Sequence, residues 1–417
     1  MFFGPRRSGY LAVMRAHEPD PPDPVAGLVV IGSGPAGKAS AQAYREAGGA
    51  GRVVIISADD APPYDRPPLS KAYLRGETDT DALPMESPSF YPDHRIELLL
   101  GEPVLALDPS RAVVTTGSGR TIGFSRCIIA TGAHPADLPV SGADHPEVLR
   151  LRSLRQGQNL REAAQRARTA VVVGSGFIGC EAAASLAIRG MNVTMVTAEE
   201  RPQLERLGGH VARRLTEWLA GTGVRLMTST DVSEIRDGTT VLTLGGDEVG
   251  GDLLLSAAGV VPLAGIGERA GLRIEQGRIA VDEHMATNCP GIYAAGDVAL
   301  AHNGAAGRPL RVEHWGDALR MGEVAGHCAA GQADAWAEVP GFWSEIGDRT
   351  LKYAAWGDGF DRDDLVEHED GGFTVWYSTD SIVVGVLTHQ ADDDYERGSE
   401  LILAGGRVPL PFLSRAG

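Results

Sequence analysis

Cysteine is scarce in this chain. Its 417 residues contain four, Cys127, Cys180, Cys289 and Cys328, and no two of them form a C-x-x-C pair or a metal-type spacing. So few cysteines argue against a disulfide framework and against a metal site, and they favour a reducing compartment, so we expect a cytoplasmic protein. Cys180 sits inside a glycine-rich segment, and we interpret it as a small buried hydrophobic residue rather than a thiol catalyst.

Long apolar runs and excess positive charge are also lacking. No stretch approaches 18 apolar residues, so no membrane-spanning helix is predicted. Residues 1–24 lack the apolar core of a secretory signal and end in a proline-rich run, so we expect a flexible leader; the sequence leaves open whether Met1 or Met14 is the start. The net charge of −17 argues against nucleic acid or an anionic membrane as the main partner.

Glycine, by contrast, is abundant, and two of its clusters share one design. The first follows the apolar run 28–31 and reads Gly32-Ser33-Gly34-Pro35-Ala36-Gly37. The second follows the apolar run 171–173 and reads Gly174-Ser175-Gly176-Phe177-Ile178-Gly179. Each gives the order of strand, glycine turn and alanine-rich helix that a dinucleotide pyrophosphate requires.

Every glycine of this pattern has a physical reason. The first makes the tight turn, the second lets the backbone approach the phosphates, and the third lets the helix pack on the strand. The helix N-terminus then offers free N–H groups to the anion. Two such turns in one chain predict two dinucleotides held together, which indicates a flavin and a nicotinamide exchanging a hydride.

The length and the pattern along the chain predict an α/β protein with two doubly wound Rossmann-like dinucleotide-binding domains plus a C-terminal α+β domain. The first dinucleotide-binding domain is expected to be discontinuous, covering 25–147 and 261–334. The second covers 148–260. Residues 335–417 show strand-type alternation, near 373–377 and 382–387, and form the third domain.

The residue that ends the second strand of a doubly wound unit selects the ribose contact. In the first unit the candidate is Asp59. In the second it is Glu199 or Glu200, either of which would repel a 2′-phosphate and so favour NADH. Arg201 nearby keeps NADPH open.

A third motif, Asp65-Arg66-Pro67-Pro68-Leu69-Ser70-Lys71, carries a resemblance. Together with the two glycine turns it resembles the FAD-dependent NAD(P)H:ferredoxin reductase family of oxygenase systems. The likeness covers about 27–331, and beyond it only 342–344 matches well. It implies FAD in the first dinucleotide unit, NAD(P)H in the second, and a ferredoxin as partner, with the protein a monomer or a homodimer.

The resemblance also implies the residues of the site. It makes Lys71 and Glu181 the catalytic pair beside flavin N5. On the FAD side it implies Gly32, Gly34, Pro35, Ala36, Gly37, Asp59, Arg66, Lys71, Thr131, Gly132, Gly296, Asp297, Glu313, His314 and Trp315. On the NAD(P)H side it implies Gly174, Gly176, Phe177, Ile178, Gly179, Glu181, Glu199 and Gly259.

Some of these roles have a physical rationale and an alternative. A Lys–Glu pair at N5 balances the anionic reduced flavin and orients the nicotinamide, whereas the plainer interpretation is an ordinary ion pair. The segment Glu313-His314-Trp315 would open a helix against the flavin pyrimidine, where the helix dipole stabilises negative charge. Trp315 either stacks near the ring edge or is a packed core residue, and we interpret His314 as a satisfied structural histidine.

The predicted activity is hydride transfer from NADH to FAD, followed by electron transfer to a small iron–sulfur ferredoxin that serves an oxygenase. Two departures from the family pattern leave alternatives. Ala58 stands where the family often has an acid, and the segments 353–360 and 388–390 are atypical. The alternatives are a flavoprotein acting directly on oxygen, a quinone or a small metabolite, a disulfide reductase, and a redox-sensing interaction protein.

Overall fold

The computed structural model describes residues 23–408, so the expected leader 1–24 lies outside the described residues apart from Asp23 and Pro24, which begin the first strand. The elements of the first part of the chain are β1 (Asp23–Ile31), α1 (Pro35–Glu46), β2 (Val53–Ile56), α2 (Ala72–Arg75), α3 (Phe90–Asp93), β3 (Ile96–Leu99), β4 (Val104–Asp108), β5 (Val113–Thr116), β6 (Thr121–Ile129) and β7 (Ala133–Pro135). They build a sheet of order β3-β2-β1-β6-β5-β4, in which β3, β2, β1 and β6 run parallel.

The next stretch forms a second parallel sheet. Its elements are β8 (Val148–Leu149), α4 (Leu154–Arg166), β9 (Thr169–Val173), α5 (Phe177–Ile188), β10 (Asn192–Val196), α6 (Leu204–Gly221), β11 (Arg225–Met227), β12 (Val232–Arg236), β13 (Thr240–Thr243), β14 (Glu248–Gly250), β15 (Leu253–Ser256) and β16 (Val260–Pro262). The sheet order is β11-β10-β9-β15-β8, and β12, β13 and β14 form a small antiparallel sheet. Strand β16 pairs with β7, so a two-stranded ribbon joins the two parallel sheets.

The chain then returns to the first sheet. The elements are α7 (Gly265–Arg269), β17 (Ile274–Glu275), β18 (Arg278–Val281), β19 (Ile292–Ala294), β20 (Ala299–Asn303), β21 (Arg308–Arg311) and α8 (Trp315–Ala329). Strand β19 pairs parallel to β6, which makes the first sheet seven-stranded and discontinuous in sequence. This agrees with the two-part first domain expected from the sequence, while the domain boundaries themselves stay predictions.

The last elements are β22 (Gly341–Ile346), β23 (Arg349–Ala355), β24 (Arg362–Glu367), β25 (Phe373–Thr379), β26 (Ile382–His389) and α9 (Asp392–Ala404). The five strands form an antiparallel sheet of order β22-β23-β26-β25-β24, and α9 packs on it. Parallel sheets at two places and an antiparallel α+β end confirm the predicted fold class.

One helix pair positions the site. Helices α1 and α8 approach so closely that a Cβ atom on Gly322 would lie 2.3 Å from the Ala36 carbonyl oxygen, and one on Gly326 would lie 2.3 Å from that of Ser40. Only glycine permits this spacing. The contact brings the start of α8 beside the first glycine turn.

Candidate cofactor site

The two glycine turns have the same backbone geometry. Gly32 and Gly174 adopt positive φ values of 111° and 104°, and a Cβ on either would lie 2.3 or 2.4 Å from a carbonyl oxygen of the neighbouring strand end. The third glycines, Gly37 and Gly179, are equally constrained, because a Cβ would lie 2.0 or 2.3 Å from the carbonyl of the first glycine. First and third glycines are therefore required by the fold itself.

The second glycines are different. A Cβ atom on Gly176 would meet no atom within 4 Å, and one on Gly34 would lie 3.7 Å from its nearest neighbour, an Arg66 nitrogen. Helices α1 and α5 begin immediately after these residues, and neither has a side chain that caps its first N–H groups. Such uncapped N-termini with an open approach bind anions, as the pyrophosphates of two dinucleotides require.

Both turns open into one cavity of about 700 Å³. Nineteen of the predicted site residues line it. They are Gly34, Pro35, Ala36, Arg66, Lys71, Thr131, Gly132, Gly176, Phe177, Ile178, Gly179, Glu181, Glu199, Gly259, Gly296, Asp297, Glu313, His314 and Trp315.

Four predicted residues lie outside the cavity lining: Gly32, Gly37, Gly174 and Asp59. The three glycines shape the turns from behind. The Asp59 carboxylate instead accepts hydrogen bonds from the Tyr64 hydroxyl, at 2.7 Å, and from the Ala61 N–H, at 3.2 Å. Its predicted contact with the FAD ribose therefore stays a prediction, and the contacts seen are structural ones.

Lys71 and Glu181 meet at the centre of the cavity wall. The Lys71 ammonium donates to Glu181 Oε2 at 2.8 Å, and both side chains are buried. Ser70 donates to the same oxygen at 2.6 Å, and Ser344 donates to Oε1 at 2.7 Å. Glu181 lies on α5 of the second unit, and its carboxylate is bound by the proline loop of the first unit and by β22 of the C-terminal sheet. All three parts of the chain therefore meet at this group.

The ammonium of Lys71 is not fully used by the protein. A second N–H donates to the Pro67 carbonyl at 3.1 Å, which leaves a third donor without an acceptor in the part of the chain that the structure describes. Because Lys71 lines the cavity, this donor is available to a bound cofactor. A positive charge with a spare donor suits a flavin atom that gains electron density on reduction.

A row of charged side chains follows the cavity wall near the start of α8. Arg152 pairs with the Asp297 carboxylate, and Arg278 binds both the Asp297 carbonyl and the Glu313 carboxylate. Arg66 lies half-buried close by, and burial, reinforced by the nearby Arg152, lowers the pKa of its guanidinium. Asp297 and Glu313 were predicted from the resemblance, whereas Arg152 and Arg278 were not.

Beside the second glycine turn, Glu199 is held in a fixed orientation. Its carboxylate accepts from the Ser175 hydroxyl and, at 3.1 Å, from the Gln203 N–H. Gln203 adopts the left-handed conformation, with φ at 61°, and its side chain donates to the Ser175 carbonyl at 2.8 Å. Glu200 is exposed and outside the lining, as is Arg201. Of the two acids that the sequence left open, Glu199 is the one at the cavity.

The start of α8 carries an aromatic group. The Nδ1–H group of His314 donates to the Asp317 carboxylate at 3.1 Å, which agrees with a satisfied structural histidine. Its ring lies 4.8 Å from that of Phe342, and the Phe342 ring lies 4.5 Å from that of Phe177. Trp315 is half-buried and lines the cavity. The C-terminal sheet therefore closes one side of the site.

The donors present fit a polyanionic dinucleotide. Besides the uncapped helices, three arginines, Arg66, Arg152 and Arg278, line the cavity. Positive side chains beside helix N-termini are the groups that bind phosphates. The cavity volume is also in the range of cofactor sites.

Comparison with known proteins agrees with this geometry. A family model described as pyridine nucleotide-disulphide oxidoreductase matches residues 26–322. The chain belongs to that family. It is therefore an oxidoreductase that uses FAD and NAD(P)H.

Individual relatives cover nearly the whole chain. Rhodocoxin reductase of Rhodococcus erythropolis is 32% identical over 380 residues, which cover 90% of this chain and 89% of that protein. The crystal structure of a ferredoxin reductase from Rhodopseudomonas palustris has a TM-score of 0.87 at 29% identity, covering 92% of this chain and 96% of that one. The covalent putidaredoxin reductase–putidaredoxin complex also gives 0.87, at 28% identity, covering 93% and 95%.

The family name includes disulphide reduction, which needs a cysteine pair at the flavin. All four cysteines lie within the described residues, all are free thiols, and none lines the cavity. Burial raises the pKa of Cys180, so its thiol is inert, as expected from the sequence. Separately, within residues 23–408 no helix is both long and apolar enough to cross a membrane.

Sequence reasoning missed several lining residues. Arg152 and Gln203 lie in loops, Arg206 lies in α6, and Ser256 and Arg278 lie in strands, and none of them belongs to a motif. An arginine that opens an apolar strand, such as Arg278 before Ile279, is the one signal that the sequence offered. Charged residues are almost never buried without a partner, so such a position deserves inspection.

Proposed function

We propose that this protein transfers a hydride from NADH to its FAD and then electrons to a small iron–sulfur ferredoxin that serves an oxygenase. The observation that carries the proposal is the buried Lys71–Glu181 pair on the one cavity into which both glycine turns open. FAD, when bound, supplies the conversion of a two-electron hydride into single electrons.

The residues of the chain supply orientation and charge. The uncapped N-termini of α1 and α5, which both open into the cavity, would hold the two pyrophosphates and so bring the two reactive rings together. Lys71 places a positive charge and a free N–H beside the acceptor, and Glu181 fixes that ammonium. No side chain has to gain or lose a proton for hydride transfer.

Preference for NADH rests on Glu199. Its carboxylate faces the cavity at the end of β10, where it accepts hydrogen bonds from ribose hydroxyls and repels a 2′-phosphate. The competing cation, Arg201, lies outside the cavity, 3.9 Å from the Glu200 carboxylate.

The cytoplasmic location expected from the sequence agrees with four free thiols.

Ferredoxin as the acceptor is supported by the names of similar proteins and by one surface feature. Arg311 is exposed, lines the cavity and has no ion-pair partner among residues 23–408, whereas Arg308, on the same strand, pairs with Asp358. An acidic protein that docks an acidic ferredoxin needs such a local cation.

The experiment is ferredoxin-dependent cytochrome c reduction with NADH, compared with direct reduction of quinones and oxygen. We expect Arg311→Glu to weaken ferredoxin turnover several-fold and to leave NADH-to-ferricyanide activity intact. Arg308→Glu is the matched control, with the same charge change on the same strand and a smaller expected effect. Loss of both activities in Arg311→Glu would make Arg311 a cofactor contact, and faster turnover with a quinone or oxygen would replace ferredoxin as acceptor.

A further inference from the structure

Arg278 is an unusual residue for its place in the fold. It is the first residue of β18 and is only 5% exposed, yet it lines the cofactor cavity. Arginine is rarely buried to this degree unless it is paired or serves a site.

Its guanidinium connects two segments that are distant in sequence. One terminal nitrogen donates to the backbone carbonyl of Asp297, at the end of β19, and the other donates to the carboxylate of Glu313, just before α8. These are the two segments that contribute Asp297 and Trp315 to the cavity. A planar fork with fixed donors sets the distance between them more rigidly than a lysine would.

Both terminal nitrogens of Arg278 are engaged by these two segments, so the guanidinium is fixed against the cavity wall. The clamp therefore couples the arginine to cofactor binding through the Asp297 and Glu313–Trp315 segments, which line the cavity.

Among the four charged groups that these contacts link, charge is balanced only while Arg278 is present. Arg152, Asp297, Arg278 and Glu313 alternate in sign and sum to zero. Removing Arg278 leaves the Glu313 carboxylate without its partner beside the same cavity. An added negative charge there disfavours the anionic reduced flavin more than the oxidised one.

We propose that Arg278 is a positioning residue of the flavin site: it clamps the Asp297 segment to the Glu313–Trp315 segment, and its charge stabilises the reduced flavin. The proposal rests on the FAD site assigned above and names a residue that tunes it. It does not depend on the identity of the electron acceptor.

The test uses the purified holoenzyme and two readouts, the FAD dissociation constant and the midpoint potential of the bound flavin. For Arg278→Met we expect FAD binding to weaken about tenfold. The affinity for reduced FAD should fall about tenfold more than the affinity for oxidised FAD, which corresponds to a midpoint potential about 30 mV more negative. Arg278→Lys keeps the charge and loses the fork, so we expect weaker FAD binding with a potential near that of the wild type.

Removing the charge of the partner carboxylate, Glu313, should shift the midpoint potential in the opposite direction. Glu313→Gln should move the potential to a less negative value, and the double variant Arg278→Met, Glu313→Gln should return it close to the wild-type value. Arg273→Met is the control, because Arg273 is exposed, precedes β17 and does not line the cavity. It should change neither readout.

An unchanged potential in a fully loaded Arg278→Met protein would overturn the electrostatic part, and unchanged FAD affinity would overturn the clamp. If Arg278→Met does not fold, Glu313→Gln and Arg278→Lys decide: the first must raise the potential and the second must preserve it. If this inference alone fails, the FAD affinities and midpoint potentials differ from those expected while ferredoxin is still reduced. If the proposed function fails, ferredoxin is not reduced while the midpoint potentials are unaffected.

Discussion

The two glycine turns have the same backbone geometry, but the acidic side chains that follow the second strand of each unit make different contacts. In the first unit the Ser33 and Ser57 hydroxyls lie 2.7 Å apart, and in the second the Ser175 and Thr197 hydroxyls lie 2.7 Å apart. The turn, the helix start and this hydroxyl contact are repeated. Duplication of the phosphate-binding element is therefore nearly complete.

The acids that follow have diverged. Glu199 faces the cavity, whereas Asp59 binds the Tyr64 hydroxyl, which in turn accepts a 2.8 Å hydrogen bond from the N–H of Leu154 at the start of α4. Asp59 thereby links the first sheet to a helix of the second unit. Equivalent positions in the two units therefore face the cavity in one unit and join the units in the other.

The largest expected effect comes from the second glycine of each turn. We expect Gly176→Asp to raise the apparent KM for NADH more than a hundredfold while FAD stays bound, because the added carboxylate blocks and repels the pyrophosphate. Gly34→Asp should instead prevent FAD binding. Neither Cβ meets a backbone atom within 3.4 Å, so the fold should tolerate both changes. FAD absorbance and NADH titration measure the two effects.

Gly176→Ala is the matched control for size without charge, and it should have a much smaller effect. Loss of FAD from Gly176→Asp would mean that the two cofactor sites are exchanged, with FAD at the second turn and NADH at the first.

A smaller effect separates the two acids. We expect Glu199→Gln to weaken NADH binding about tenfold and to narrow the preference over NADPH, since a hydrogen bond to a charged group contributes about 1.5–3 kcal/mol. Asp59→Asn should leave FAD affinity within about twofold and lower the melting temperature by about 2 °C, as loss of about 1 kcal/mol does in a large domain. Steady-state kinetics, FAD titration and thermal unfolding check these outcomes.

If Asp59→Asn weakened FAD binding tenfold without a change in melting temperature, Asp59 would be the ribose ligand that the sequence predicted. The two units would then be alike in this position too.

A further effect is a pH dependence at the link between the units. Burial raises the pKa of Tyr64 to about 12 from an unfolded value near 10, so folding favours the neutral phenol. Its contribution is complete below pH 10 and is lost as the pH rises from about 10 to about 12. We expect the difference in unfolding free energy between the wild type and Tyr64→Phe to shrink over that range in urea titrations. A constant difference would show that Tyr64 does not ionise in this window.

The sequence predicted the parts of the site that backbone geometry dictates. Gly37 and Gly179 are required by contacts within their own turn, and Gly32 and Gly174 by the positive φ values of that turn, so the local spacing identifies all four. Helix α1 begins directly after the second glycine of the first turn, as the order of strand, glycine turn and helix predicts, and runs over Pro35–Glu46. Local constraints of this kind are written into consecutive residues.

The rest depends on contacts between distant segments. Ser344 reaches Glu181 from β22, and Arg278 reaches Glu313 across the cavity wall, which no local pattern encodes. Asp59 shows the same limit, because its choice between a ribose and Tyr64 is decided by where the proline loop folds. Tertiary packing, rather than spacing, assigns these side chains.

The central claim is that the two units act together through the Lys71–Glu181 pair, and a double-mutant cycle on the rate of flavin reduction by NADH tests it most directly. Lys71→Met, Glu181→Gln and the double variant are mixed with NADH in a stopped-flow instrument, with FAD content and melting temperature checked first. We expect each single change to slow reduction at least tenfold, and the double variant to be no slower than the worse single one, a coupling of about 0.5–3 kcal/mol. Rate losses that simply add would contradict the account.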